Sequence, residues 1–384
     1  MKIIHFNNGS GGGTLAVVKN LLKFSCNPNI ENHVIFTINK ALNIDFEIPV
    51  LEGAKSTQIF YYSPKWNFYF TCRQLAKLLP DEKSIIVAHD WLELGMVSNL
   101  GLQNPVVQIV HGDFDYYYKL ALKHNLALNQ IITVSPVILK KLTLLMPHKI
   151  KDLHYCKFPV PAIKSLVTEN NILKIFYCVR LLNEERKQFK LLPKINAALN
   201  LKGITVQWTI IGKGLALDEL KKLMGQVSGI LLFPYLTNEK VLLQLPQHDI
   251  FILPSLNEGF PVSVVEAMKA GLVPLVTNWQ GATTELIVEG ETGYYFEPTD
   301  VEGYARTIKR LNNDRLLLNR IAAAGIKKAN ELFDPIENTK KIEEVLIKSL
   351  ATAHVKKPKY KAYGSRLDQK WLPNFVTKAY RNFK

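Results

Sequence analysis

Within this chain of 384 residues, the run NEGFPVSVVEAMKAG from Asn257 to Gly271 concentrates the side chains best suited to chemistry. Glu258 and Glu266 are separated by seven residues, across what reads as a loop running into a helix. One carboxylate then sits in the loop and the other inside the helix, further along its axis. Two such acceptors suit two separate hydroxyl-bearing parts of one ligand. Between them, amides around Gly259 and Phe260 at the helix start can receive phosphate oxygens, and the helix dipole favours negative charge there. A sugar, a diphosphate and a ribose would together fit this layout. Taken alone, the pair reads more readily as two solvated glutamates, the usual fate of that residue.

The surrounding pattern says what must position them. Ile250 to Leu253 is a short apolar run of strand character, buried on both faces. Asn, Gly and Pro then break the pattern, and Pro261 stands where a first helical residue tolerates a missing N–H. Val262, Val265, Met268 and Lys269 follow with helical spacing, Gly271 ends the helix, and Val273 to Thr277 is a second buried strand. The unit is β-loop-α-β, which implies a parallel sheet with ligands beyond the carboxyl ends of its strands. Glu258 falls in that position.

Other polar groups recur at strand ends. Arg180 follows the strand 174–179 directly, with Arg186 and Lys187 a few residues on, offering a planar fork and a compact point charge for phosphate. The strand 205–211 ends in Gly212-Lys213-Gly214. Residues 2–6 form a first strand, followed by NNGSGGGT, in which Gly11, Gly12 and Gly13 make a strand-to-helix turn open to an anion or simply flexible. The strand 85–88 ends in His89-Asp90-Trp91 and the strand 105–110 in His111-Gly112-Asp113, so two histidines share a ligand-facing edge.

These alternations describe one doubly wound half over residues 1–160, a proline-rich linker at 157–161, and a second half over 161–350. The expected architecture is α/β, two Rossmann-like domains facing each other across a cleft, a preferred place for ligands. Length suits two cores, and 47% hydrophobic residues is ordinary for a soluble chain. No apolar run is long enough to span a membrane, and the N-terminus reads as a strand and not a signal peptide. Four cysteines without C-x-x-C spacing argue against structural zinc and disulfides, hence for a reducing cytoplasm. The net charge of +15 is uneven, because residues 355–384 carry nine Lys and Arg against Asp368 alone. This tail, 351–384, reads as a helix from Pro373 with Phe375, Val376, Ala379, Tyr380 and Phe383 on one face. It either returns to the N-terminal domain or touches an anionic membrane.

With these residues assembled, the chain resembles the retaining glycosyltransferases of family 4, which have the glycosyltransferase B fold. LPSLNEGFPVSVVEAMKAGLVPLV looks like the family's signature of two glutamates with seven residues between them, and GATTELIVEGETGYYFEPTD like the segment that follows it. The resemblance implies that Glu258 contacts the donor sugar and Glu266 the nucleotide ribose. It makes Arg180 and Lys187 the phosphate-binding pair, His111 the active-site histidine, Gly11 to Gly13 the glycine-rich loop, and Gly212 and Gly214 the loop beside the nucleotide. Gly281 and Glu285 resemble the glycine and acid after the next strand. Lys187 is followed by Gln188 where the family often has Gly, which leaves Arg186 and Lys187 as alternatives at the diphosphate.

The expected activity is transfer of a sugar, with retention, from a UDP- or GDP-linked donor to a glycan or lipid-linked acceptor in surface glycan, lipopolysaccharide or glycolipid synthesis. No cofactor or metal is expected, and the expected location is the cytoplasm or the inner face of the membrane. A nucleotide-sugar epimerase or a phosphorylase of the same fold is the alternative within enzymes, and a nucleic-acid-binding protein, suggested only by the charge, is the alternative outside them. The aromatic-rich segments 60–70 and 114–119 are read as loops for acceptor or core contacts.

Overall fold

The structure is a computed structural model that describes residues 1–9, 12–42, 46–81, 83–165, 172–180, 185–213, 217–225, 229–233, 236–256, 258–278, 283–352 and 356–383. The chain divides into two compact units, one made of residues 1–159 with 335–384 and the other of 160–334.

In the N-terminal unit the strands are β1 (Lys2–Asn7), β2 (Glu31–Asn39), β3 (Ala54–Tyr62), β4 (Ile85–Ala88), β5 (Val106–Val110), β6 (Gln130–Thr133) and β7 (Leu153–Tyr155). They form one sheet in the order β3-β2-β1-β4-β5-β6-β7, each pair parallel. The helices α1 (Gly13–Lys23), α2 (Phe68–Ala76), α3 (Trp91–Leu100), α4 (Asp115–Lys123) and α5 (Pro136–Leu145) connect them. Parallel strands need such crossovers, and covering both faces explains why β4, β5 and β6 are buried throughout. Local caps set the helix starts. Asp90 and Glu93 form a capping box on α3, and Ser135 accepts from the Ile138 amide ahead of Pro136.

The C-terminal unit holds β8 (Leu173–Arg180), β9 (Val206–Lys213), β10 (Ile230–Phe233), β11 (Ile250–Leu253), β12 (Val273–Thr277) and β13 (Tyr294–Phe296), in the order β10-β9-β8-β11-β12-β13, all parallel. Its helices are α6 (Leu191–Leu201), α7 (Leu217–Met224), α8 (Asn238–Gln244), α9 (Val262–Lys269), α10 (Val301–Asn313) and α11 (Arg315–Leu332). The core is built on Trp208, Tyr177 and Tyr304, all fully buried, and the Trp208 indole satisfies its N–H on Asn196 at 2.9 Å. Helix α9 starts at Val262 with Pro261 as its cap, one residue later than expected.

Three differences from the sequence reading have physical causes. The edge strand β3 falls partly in the aromatic segment read as a loop; all its positions but Phe60 are exposed or half-buried, and its first five residues are mostly polar, unlike the all-apolar β4. Helix α4 takes residues 115–119 of the second aromatic segment and α2 takes 68–70 of the first, α2 starting on Asn67, whose side chain accepts from two amides. The helix α12 (Pro335–Ala351), assigned from sequence to the second domain, lies in the N-terminal unit, where its buried Ile342, Val345 and Leu346 cover the sheet of β4, β5 and β6.

The tail continues along the same unit. Lys357 donates to Asn104 O at 2.5 Å, Asn99 receives the Ala362 amide, and Asn67 donates to three carbonyls of residues 367–372. The helix α13 (Asn374–Asn382) is fastened by Arg381, which donates to the carbonyls of Pro64 and Trp66 and to Asp368. The face that packs is therefore that of Thr377 and Arg381. Phe375, Val376, Tyr380 and Phe383, on the face read as either packing or touching membrane, are exposed.

One buried cation closes the C-terminal unit. Lys269, at the end of α9, is 1% exposed and donates to Val160 O at 2.6 Å and to Phe333 O at 2.9 Å. Those carbonyls lie at the first residue of the unit and next to its last. Lys269→Ala removes the buried stem and leaves both acceptors unpaired, so urea unfolding is expected to register a loss of at least about 2 kcal/mol.

Candidate active site

Both sheets reverse their order of winding at one point, between β1 and β4 in the first unit and between β8 and β11 in the second. At such a point adjacent loops leave on opposite faces and open a crevice beyond the carboxyl ends of the strands. Among the described residues, several of those singled out from sequence stand at or beside these two points.

In the C-terminal unit, β8 ends at Arg180, in register with Lys213 at the end of β9, and Gly212 is in register with Val179. The Arg180 and Lys213 side chains and Gly214 lie outside the described atoms, as does Gly281. A short helical turn, Glu185–Lys187, follows and carries Arg186 and Lys187. The loop after β11 brings Glu258 to them. Lys187 Nζ bonds Glu258 Oε1, and Arg186 Nη1 lies 3.5 Å from Glu258 Oε2. Lys187 and Glu258 side chains are each 13% exposed against 32% for Arg186, which makes Lys187 the inner cation. Backbone bonds hold the arrangement, with Leu256 N donating to Arg186 O at 2.7 Å and the buried Tyr177 hydroxyl to Lys187 O at 3.3 Å. Gln188, directly after Lys187, has a φ of +44°, an uncommon backbone conformation for a side chain of this kind. Strain of that sort is tolerated where the surroundings over-determine the position.

The amides at the start of α9 are arranged differently from expectation. Val262 N bonds Phe260 O at 3.0 Å and Val264 N bonds Pro261 O at 2.9 Å, so the first turn is tightened on itself. Phe260 is held against Phe333 with ring centroids 5.2 Å apart, and Gly259 stays partly accessible. Positive charge at this end thus comes chiefly from Arg186 and Lys187.

Glu266 is not a solvated carboxylate. It is 5% exposed, and burial raises its pKa from 4.5 to about 7, while a hydrogen bond from Asn238 at the start of α8, 3.3 Å long, works the other way. Helix α9 is buried from Val264 to Lys269 on every side, which is why spacing alone did not expose this. Asn238 had no sequence signal beyond its place at a helix start.

In the N-terminal unit the glycine turn leads into α1. Gly12 caps that helix at φ 73° and ψ −156°, a conformation open to glycine alone, and a Cβ on Gly13 would meet nothing within 4 Å. Gly11 lies outside the described residues. Across the reversal point, Asn8 donates to Asp90 at 2.8 Å, and the Tyr116 hydroxyl also bonds Asp90. His111 is half-buried after β5, and burial lowers its pKa, so the ring is neutral near pH 7. Its Nε2 lies 2.6 Å from His89 Nδ1. Asn8 and Tyr116 were not singled out in the sequence, although the former sits in the glycine turn and the latter in the aromatic run that begins α4.

Residues 164–328 match the family of glycosyl transferases group 1. Among curated relatives, sucrose synthase 6 of Arabidopsis thaliana is 32% identical over 22% of this chain and 9% of its own length. The UDP-Gal:alpha-D-GlcNAc-diphosphoundecaprenol alpha-1,3-galactosyltransferase of Escherichia coli is 30% identical over 27% of this chain and 26% of its own. The chain thus spans about a tenth and about a quarter of the lengths of these two relatives. Among solved structures, Anabaena Alr3699/HepE, crystallised in complex with UDP and glucose, superposes with a TM-score of 0.71 at 17% identity, over 90% of this chain and 99% of that one. That likeness speaks for the fold.

A buried carboxyl whose pKa is raised on folding stabilises the protein at low pH, and the contribution is lost as pH rises from 4.5 through about 7. Glu266→Gln is therefore expected to raise the melting temperature of the ligand-free protein above pH 7, by an amount corresponding to at most about 3 kcal/mol, with the gain shrinking toward pH 4.5. Melting curves across that range check it. The chain thus pairs a stretch, residues 164–328, that matches the glycosyl transferases group 1 family with a fold of two parallel-sheet α/β units like that of Anabaena Alr3699/HepE.

Proposed function

We propose that this chain is a retaining, metal-independent glycosyltransferase of family 4 that moves a sugar from a nucleotide diphosphate donor, UDP- or GDP-linked, to an acceptor hydroxyl. The observation that carries the reading is the convergence of Lys187 and Arg186 on Glu258 at the reversal point of a sheet that matches the group 1 family. An ammonium and a guanidinium held together are the charges a diphosphate needs. Glu258 keeps them in place without ligand and, once they turn to phosphate, is left to accept hydroxyls of the donor sugar.

Catalysis on this reading is electrostatic. As the bond from the anomeric carbon to the diphosphate breaks, its electron pair goes to the phosphate oxygen, and Lys187, Arg186 and Arg180 stabilise the charge that develops there. Glu266, buried on α9, accepts hydrogen bonds from the ribose hydroxyls. His111, Asp90 and the Gly11 to Gly13 turn belong to the N-terminal unit and meet the acceptor or the sugar.

Thermal-shift titration with UDP, GDP and their sugars tests the donor site directly, since ligand at a hundred times its Kd adds about 2.7 kcal/mol of stability. Glu258→Ala and Lys187→Ala are expected to reduce transfer at least about a hundredfold while the protein still folds. Full activity in either variant sinks the assignment. Turnover of the donor with no acceptor present would mark an epimerase instead.

The tail supports a location for this reaction at a membrane surface. Trp371, Phe375 and Phe383 are 77%, 73% and 92% exposed, and they share the segment with exposed Lys370 and Lys378. Aromatic side chains and lysines together suit the headgroup region of an anionic membrane, where lipid-linked acceptors lie. Among the described residues no helix is long and apolar enough to cross a membrane. Replacing Trp371, Phe375 and Phe383 by Ser is expected to abolish sedimentation with phosphatidylserine vesicles without lowering the melting temperature.

A further inference from the structure

A row of three imidazoles runs from within β1 to just beyond the carboxyl ends of β4 and β5. His5 on β1 is in register with Val87 of β4, and Val87 with Val107 of β5, so His5, His89 and His111 follow one another on one face. The rings of His5 and His89 stack at 6.2 Å, those of His89 and His111 at 4.9 Å, and His111 lies 5.5 Å from Phe158 on its other side. His5 and His89 are 2% and 4% exposed. Burial lowers the pKa of all three, and the neighbouring histidines lower that of His89 further.

A neutral imidazole has one donor and one acceptor. The 2.6 Å contact between His89 Nδ1 and His111 Nε2 places one proton between two nitrogens, and whichever ring holds it, the tautomers of both are fixed together. His89 Nε2 is buried and makes no hydrogen bond. The side-chain hydrogen bonding of His89 is therefore directed wholly at His111, in a place where a hydrocarbon ring would leave no buried nitrogen unmatched. Its backbone amide is held separately by Glu93, 2.8 Å away, and Tyr117 approaches His111 with ring centroids 6.1 Å apart. With Nε2 engaged, Nδ1 is the polar atom His111 has left for a ligand.

We propose that His89 is a positioning residue for His111, fixing its ring orientation and tautomer so that Nδ1 meets the substrate in a defined protonation state. The inference rests on the reading of His111 as the active-site histidine. It differs from an ordinary core role for His89 in that the required group is a nitrogen at one point on the ring.

Asparagine places its terminal amide where histidine has Nδ1, and glutamine places its amide where histidine has Nε2. Steady-state kinetics are therefore compared for His89→Phe, His89→Asn and His89→Gln, with melting curves for each. The expected result is that kcat falls about 10- to 100-fold in the Phe and Gln variants with KM for the donor unchanged, and that Asn restores it to within a few-fold of wild type. Wild-type kcat in His89→Phe, or equal losses in the Asn and Gln variants, overturns the proposal. Imidazole nitrogen NMR supplies an arm independent of turnover. His111 should show one tautomer in wild type and His89→Asn, and an averaged tautomer in His89→Gln. An averaged His111 in the wild-type protein also overturns it. Absence of sugar transfer by the wild-type protein would count against the proposed activity, and the NMR arm would still decide the histidine pair.

Discussion

Parallel strands buried on both faces leave a chain few places to present polar side chains, and the carboxyl ends of the strands are the chief of them. In both units the constraint is severe, since the central strands are buried throughout. Among the described residues, Lys187, Glu258, Glu266, Asp90 and His111 all stand just beyond such an end or on the helix that follows it. Where a charge was nonetheless placed inside, its environment had to be rebuilt around it, as the pairing of Lys187 with Glu258 and of Glu266 with Asn238 illustrates.

The two units use this constraint differently. The C-terminal unit holds full charges close together, a cation against a carboxylate with a second carboxyl kept near neutrality by burial. The N-terminal unit holds neutral imidazoles and one capped carboxylate, Asp90, already engaged by Asn8 and Tyr116. One unit is thus equipped for an anion of high charge and the other for neutral hydroxyl groups, a division that matches the proposed donor and acceptor.

Much of this was legible in the sequence because strong signals coincide there. Short β-branched runs such as Ile250 to Leu253 declared the central strands, and the polar residues that follow them declared the edge. The strands missed were those without such a run: β3, whose first five residues are mostly polar, and β7 and β13, which are three residues long. Burial of Glu266 was illegible for another reason. A helix enclosed on all sides has no polar face to betray it, and the neighbouring Lys269 was read with the apolar positions, which is where the structure puts it. The placement of α12 in the first unit depends on contacts far apart in sequence, which local pattern does not report.

Lys269 has one more consequence. Its ammonium reaches the carbonyls of Val160 and Phe333 at once, so those two oxygens lie within about 6 Å of each other. The chain thus enters and leaves the C-terminal unit through a single narrow neck, fastened by one side chain of the helix that also carries Glu266. A body of that form is topologically an insert, whose two chain ends lie side by side at one point of its surface.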